Sequence, residues 1–79
     1  MTTKIQLEKG TEIDGANVMV LTMREPTVAD QLAAAEIKGT DALKEVTLIA
    51  NLCDVSPDDI KRLSLRDYYK VQAAYADFT

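Results

Sequence analysis

The hydrophobic pattern of this 79-residue chain changes its period at Pro26. Before Pro26, apolar and β-branched residues gather in short runs that are typical of strands. After Pro26, apolar residues recur every three or four positions, as they do in amphipathic helices. A chain of this length forms one domain around one modest core. We therefore predict an α+β fold over residues 1–79, with an N-terminal β-hairpin at 3–23 and a small bundle of three to four helices at 27–78.

The hairpin turn is predicted at Asp14-Gly15, a dipeptide that favours two-residue type I′ turns. The strongest strand pattern is the run from Val18 to Met23 that follows it. A continuous ladder from this turn pairs Thr11 with Val18, Leu7 with Thr22 and Ile5 with Arg24. A bulge at Gly10 would shift this register.

The register decides which side chains reach the core, because successive residues of a strand point to opposite faces. On the continuous ladder the core face carries Ile5, Leu7, Ile13, Val18 and Val20. Met19, Leu21 and Met23 then point outward, where three neighbouring apolar side chains would form a contact surface for self-association or for a partner. A bulge at Gly10, or a C-terminal helix folded back over them, would instead bury these three residues inside the monomer.

The helix starts carry clear capping signals. Thr27, Ser56 and Ser64 are each followed three positions later by an aspartate, and Pro57 occupies a first helical position. Gly39 is predicted to end the first helix, and Thr40 or Asp41 to start the second. The apolar stripes of the four helices are Val28, Leu32 and Ala35; Leu43, Val46, Ile49, Ala50 and Cys53; Ile60 and Leu63; and Tyr68, Val71, Tyr75 and Phe78. The predicted order is ββαααα.

Composition argues against several function classes. The net charge is −4, whereas proteins that bind nucleic-acid backbones present a basic surface. No apolar run is long enough to span a membrane, and the first residues lack a signal-peptide core. We therefore expect a soluble intracellular protein that binds neither nucleic acid nor membranes.

Catalytic and cofactor motifs are absent from the sequence. The chain has no histidine and a single cysteine, Cys53, which lies on a predicted helical core stripe. None of the glycine-rich phosphate motifs or nucleophile motifs occurs. We therefore expect no enzyme activity, no cofactor and no metal, with Cys53 buried and inert.

The remaining candidate site residues suggest protein binding. Arg24 and Glu25 lie at the strand-to-helix junction, where the alternative role of such charges is to protect a strand edge from aggregation. Tyr69 follows Tyr68 and points about 100° away from it on a helix, so it is expected to be exposed and available as an interface anchor. Together with the outward hairpin residues, the predicted partner-binding set is Met19, Leu21, Met23, Arg24, Glu25 and Tyr69.

Three segments resemble a known family: Val20–Asp30, Ile49–Ser56 and Ile60–Phe78. They are similar in order and spacing to the phage tail assembly chaperones of the E type of phage P2 and the Mu-like phages. The resemblance implies a non-enzymatic protein that acts in the host cytoplasm, encoded by a phage or prophage. It further implies binding to the tape measure protein, assistance to tail tube assembly that includes the tail tube protein as a further partner, and absence from the mature virion.

Alternative functions stay open at the level of the sequence. The chain could instead be a structural minor tail protein that remains in the tail, or a small regulator that binds a protein, binds nucleic acid or mimics it. A homo-oligomer is compatible with each of these functions. Neither an enzyme nor a membrane protein is supported by any motif.

Overall fold

The computed structural model describes all residues from Met1 to Thr79. It contains two strands, β1 (Thr2–Ile13) and β2 (Ala16–Arg24), which form an antiparallel hairpin. Four helices follow: α1 (Val28–Ala35), α2 (Asp41–Cys53), α3 (Pro57–Lys61) and α4 (Leu65–Asp77). The α+β fold and the ββαααα order predicted from the sequence are confirmed.

The turn of the hairpin is the predicted one. Asp14 and Gly15 both have positive φ angles, 51° and 81°, as a type I′ turn requires. Thr11 pairs with Val18 and Ile13 with Ala16, so the predicted register is confirmed next to the turn.

Beyond the turn the predicted register is wrong, because β1 contains a wide irregularity between Gln6 and Thr11. Four residues of β1, 7–10, lie opposite the single residue Met19 of β2, a surplus of three. Ile5 consequently pairs with Leu21, and it is Thr2 that pairs with Arg24. A shift by an odd number of residues reverses the inward and outward faces of one strand relative to the other.

Because the faces of β2 are reversed, the buried side chains of the hairpin differ from the predicted ones. Leu21 and Met23, expected to point outward, are buried with Ile5 and Leu7 in the main core cluster. Val20, expected in the core, is 41% exposed on the outer face of the hairpin. Burying Leu21 and Met23 removes more apolar surface from water than burying Val20 would, which favours the bulged register.

Asp67 at the start of α4 holds the irregular segment of β1 in place. Its carboxylate accepts hydrogen bonds from the backbone N–H groups of Glu8 at 2.7 Å, Lys9 at 3.0 Å and Gly10 at 3.1 Å. Burial would raise the pKa of the Asp67 carboxyl, but the three amides outweigh it and the pKa is lowered. The fully buried carboxylate thus satisfies backbone donors that the irregularity takes out of the ladder.

Gly10 is also required at this point of β1. Its φ angle is +79°, in the region that glycine adopts without strain. A Cβ atom added there would lie 2.5 Å from the Val18 carbonyl oxygen. The irregularity therefore depends on one glycine in β1 and on one carboxylate from α4.

The helices cover the inner face of the hairpin. α4 packs on β1, α2 packs on β2, and α3 joins α2 to the turn end of β1. The Thr11 hydroxyl donates to the Asp59 carbonyl at 2.8 Å, and the Arg62 guanidinium donates to the Glu12 carbonyl at 2.9 Å. The core lies between the hairpin and α2, α3 and α4.

The predicted helix starts are confirmed. Thr27, Thr40, Ser56 and Ser64 each accept a hydrogen bond from the backbone N–H three positions on. The boxes at Thr27 and Ser56 are reciprocal, whereas the Asp67 side chain is engaged by β1 instead of returning to Ser64. The first helix ends at Ala35, four residues before the Gly39 predicted to end it.

Candidate partner-binding surface

α1 lies on the outside of the molecule, and its predicted apolar stripe faces away from the core. It packs mainly against α2 and has no buried residue, with only Ala34 packed against the core cluster. Val28 is 75% exposed and Leu32 is 64% exposed, and Ala35 one turn later is also exposed. The sequence pattern of this stripe resembles a core face, but the structure leaves it without a partner.

The orientation of α1 is fixed by a polar contact with the end of β2. The two terminal guanidinium nitrogens of Arg24 donate to the Asp30 carboxylate, at 2.7 and 2.8 Å. This ion pair, helped by the Thr27 backbone N–H, holds the pKa of Asp30 well below its usual range. Arg24 therefore positions α1, and Glu25 beside it is exposed without an ion-pair partner.

A groove of about 360 Å³ runs along the inner edge of α1. α2 forms its floor with Leu48, and α4 forms its far wall with Tyr75. Ala34 and Ala35 form the near wall, so the groove is continuous with the exposed stripe of Val28 and Leu32. We call the exposed stripe and this cleft together the α1 groove; the cleft is lined by Gln31, Ala34, Ala35, Lys44, Glu45, Leu48 and Tyr75.

Glu45 is the one acidic side chain that lines the α1 groove. It accepts hydrogen bonds from the Tyr68 hydroxyl at 2.8 Å and from the Gln72 amide at 2.6 Å, but it has no cationic partner within the chain. Burial and then this hydrogen bond raise the pKa of Tyr68, which keeps the hydroxyl protonated as a donor. The groove therefore combines an apolar floor with a negative charge that a cationic group of a partner could neutralise.

The outer side of α4 is a second exposed apolar surface. Tyr69 is 60% exposed, as its position next to the half-buried Tyr68 predicts. Leu65, one turn earlier on the same side, is 68% exposed. This side of α4 lies beside the α1 groove and not within it.

The predicted partner-binding residues separate into three groups. Leu21 and Met23 are core residues, so the prediction that they form an outer surface is wrong; Met19 is half-buried opposite the β1 irregularity. Arg24 and Glu25 lie at the base of α1, and Tyr69 lies on α4. Their role in partner binding stays a prediction.

The prediction missed Val28 and Leu32, which the structure exposes. The signal available in the sequence is the run Ala33-Ala34-Ala35, of which only Ala34 is half-buried, so α1 has no large apolar side chain on its inner side. Such a helix contributes little to a core, so its larger apolar residues are free to face outward.

Cys53 is buried on α2, as predicted, and burial raises the pKa of its thiol to about 11. A thiol in this state is a poor nucleophile at neutral pH. No cluster of three or more histidine, cysteine or acidic side chains has the arrangement needed to hold a metal ion. None of the helices combines the length and hydrophobicity needed to cross a membrane.

Residues 4–79 match the model of the family described as phage tail assembly chaperone proteins, E, or 41 or 14. The match covers nearly the whole chain and extends from β1 to the end of α4. No curated protein and no solved structure matches the chain. The family resemblance read from the sequence is thereby confirmed, and the chain belongs to the phage tail assembly chaperone family.

Proposed function

We propose that this tail assembly chaperone binds the tape measure protein of its phage in the α1 groove and so assists assembly of the tail tube around it. Family membership supports a role in tail assembly. The observation that carries the choice of site is α1 itself, a helix whose larger apolar side chains, Val28 and Leu32, have no partner within the chain.

The shape of the groove suits an α-helix as its occupant. An amphipathic helix binds such a surface by laying apolar residues at positions i, i+3, i+4 and i+7 into it. α1 and α4 form two walls and Leu48 forms an apolar floor between them. A tape measure protein, a long and largely helical rod, offers segments of this kind.

The charges of the groove favour a particular segment. Glu45 lacks a cationic partner, and the whole chain carries a net charge of −4. A lysine or arginine beside the apolar stripe of the bound helix would pair with Glu45, while Lys44, the preceding residue of α2, would disfavour a second cation nearby. We therefore expect the bound segment to have an apolar stripe with a single flanking cation.

Binding of this kind is sufficient for a chaperone without any catalytic step. Covering an apolar helical surface reduces its tendency to aggregate before the tube encloses it. The net negative charge of the chaperone would keep the complex in solution. Because this binding is reversible, tail tube subunits can replace the chaperone on the tape measure protein. The chaperone therefore works in the host cytoplasm and is absent from the mature virion.

The direct test is co-expression with the tape measure protein of the same phage. We expect the wild-type chain to increase the soluble fraction of the tape measure protein and to co-purify with it. Leu32→Glu places a charge on the exposed stripe and should weaken capture about tenfold or more, because it lies at the centre of the proposed contact.

Val20→Glu is the matched control, since Val20 is an exposed apolar residue on the opposite, outer face of the hairpin. It should leave capture unchanged. Equal capture by the Leu32→Glu variant and the wild type would rule out the α1 groove as the site. Recovery of the chain from purified virions by mass spectrometry would instead support a structural tail protein.

A further inference from the structure

The outer side of α4 is free of charge for three helical turns. Rotation by about 100° per residue brings Leu65, Tyr69, Gln72, Ala73 and Ala76 to one side of the helix. All are exposed except Gln72, which is half-buried beside the α1 groove. The opposite side of α4 supplies Val71 and Ala74 to the core, so the outer stripe has no partner within the chain.

The stripe changes in size along its length. Its N-terminal half carries the large side chains of Leu65 and Tyr69, and its C-terminal half carries Ala73 and Ala76. A second helix that runs antiparallel would place its large residues over these small ones, and the reverse would hold at the other end. This is the self-complementary arrangement that a twofold axis requires.

The charges beside the stripe fit the same arrangement. Arg66 and Asp77 are 11 positions apart, about three turns, so they lie on the same flank at opposite ends of α4. Asp77 has no ion-pair partner in the chain, and Arg66 reaches only Glu8, at 3.6 Å, with its side chain 77% exposed. In an antiparallel pair, Arg66 of each copy faces Asp77 of the other.

Lys70 is the remaining charge on this flank, and it lies near the middle of the helix where two copies would meet. Its ammonium group is 3.8 Å from the Glu8 carboxylate, which offsets repulsion between the two lysines. Glu8 lies on β1 and is the facing charge from the element packed against α4.

We propose that the outer face of α4 is a self-association surface, on which a second copy of this chain packs antiparallel about a twofold axis. Three turns of helix bury less area than a standard interface of about 1,600 Å², so the dimer is expected to be weak. None of the stripe residues lines the cleft of the α1 groove, so we expect the groove to stay open in this dimer. The proposal does not depend on the identity of the partner bound there.

Sedimentation equilibrium over roughly 10 µM to 1 mM covers the affinities expected of so small an interface. The wild type should pass from monomer to dimer within this range. Tyr69→Glu should weaken association at least about tenfold, since it removes the largest side chain of the contact and buries a charge in its place. Val20→Glu, on the outer face of the hairpin, should associate like the wild type.

A charge-reversal pair tests the antiparallel geometry. Arg66→Asp alone and Asp77→Arg alone should each be monomeric, because each places like charges opposite one another. Both changes agree with the helix dipole, which favours acids at the N-terminus and cations at the C-terminus, so α4 should remain folded. An equimolar mixture of the two variants should form a heterodimer, since both facing pairs are then of opposite charge.

Two results overturn the proposal. One is a wild type that stays monomeric throughout this range, or a Tyr69→Glu variant that dimerises as strongly as the wild type. The other is a mixture of the two charge variants that associates no better than either variant alone. Circular dichroism of each variant, unchanged from the wild type, establishes that the fold is retained.

Discussion

Two neighbouring residues of β2, Val20 and Leu21, distinguish the bulged hairpin from a continuous one. In the structure Leu21 is 2% exposed and Val20 is on the outer face. Replacing Leu21 with alanine should therefore remove a core side chain and leave a cavity. Replacing Val20 with alanine should do little more than lower β propensity.

The sizes of the two effects differ enough to decide the question. Truncation of a buried leucine to alanine costs about 2–5 kcal/mol. Truncation of an exposed residue costs about 0.5 kcal/mol, with somewhat more for the loss of a β-branched side chain in a strand. A domain of this length has a total stability of roughly 4–12 kcal/mol, so Leu21→Ala should remove a large fraction of it.

Urea unfolding followed by circular dichroism measures both effects. The midpoint for Leu21→Ala should fall strongly and that for Val20→Ala only slightly, with similar slopes, since the area exposed on unfolding is nearly the same. A larger loss for Val20→Ala than for Leu21→Ala would refute the bulged register. Leu21→Glu should leave the monomer unfolded, since it buries a charge without a partner.

The remaining predictions concern the polar contacts and the buried thiol. Asp67→Asn should cost about 2 kcal/mol or more in urea unfolding, since the acceptor loses its charge and one of its two oxygens is replaced by an NH2 group that cannot accept from a β1 amide. The pKa of Asp67 is lower in the folded protein than in the unfolded chain, where it is about 4. The stabilisation by Asp67 is therefore complete above about pH 4 and is lost as the pH falls from there toward the folded pKa. In a series of decreasing pH, the free energy of unfolding should fall less steeply for Asp67→Asn than for the wild type. Ser56→Ala should destabilise the fold by about 0.5–2 kcal/mol through loss of the α3 N-cap, and a change below about 0.3 kcal/mol would contradict that role. Cys53→Ala should cost about 1 kcal/mol or somewhat more and leave partner capture by the folded protein intact, and lost capture in a folded variant would contradict its purely structural role.

Local signals in the sequence predict much of this fold. The positive-φ turn at Asp14-Gly15 and the caps at Thr27, Ser56 and Ser64 each depend on residues within three positions of one another. Such local interactions depend little on how the rest of the chain packs. For this reason the element order and the helix starts could be predicted correctly.

The hairpin register could not be predicted in the same way, because its cause is distant in sequence. The irregularity in β1 is held by Asp67, which is 57 to 59 positions away from the three amides it binds. Gly10 indicates that a bulge is possible but does not give its length. A surplus of three residues, instead of none or two, is what turns Leu21 and Met23 inward.

The exposure of α1 depends on tertiary packing for a related reason. The spacing of Val28, Leu32 and Ala35 gives the helix an apolar side but does not say whether another element covers it. Here Arg24 and Asp30 hold α1 so that Ala34, and not Val28 or Leu32, packs against the core. The candidate site therefore becomes visible only when the whole chain is packed.

An amide-resolved NMR titration of the chain with tape measure fragments tests most directly whether the α1 groove receives a helical segment of the tape measure protein. Binding in the α1 groove should place the largest shift changes on α1, on Lys44 to Leu48 of α2 and around Tyr75, and Leu32→Glu should remove them. Shift changes that concentrate on the outer face of the hairpin, around Lys4, Gln6 and Thr22, and that persist in Leu32→Glu, would contradict it.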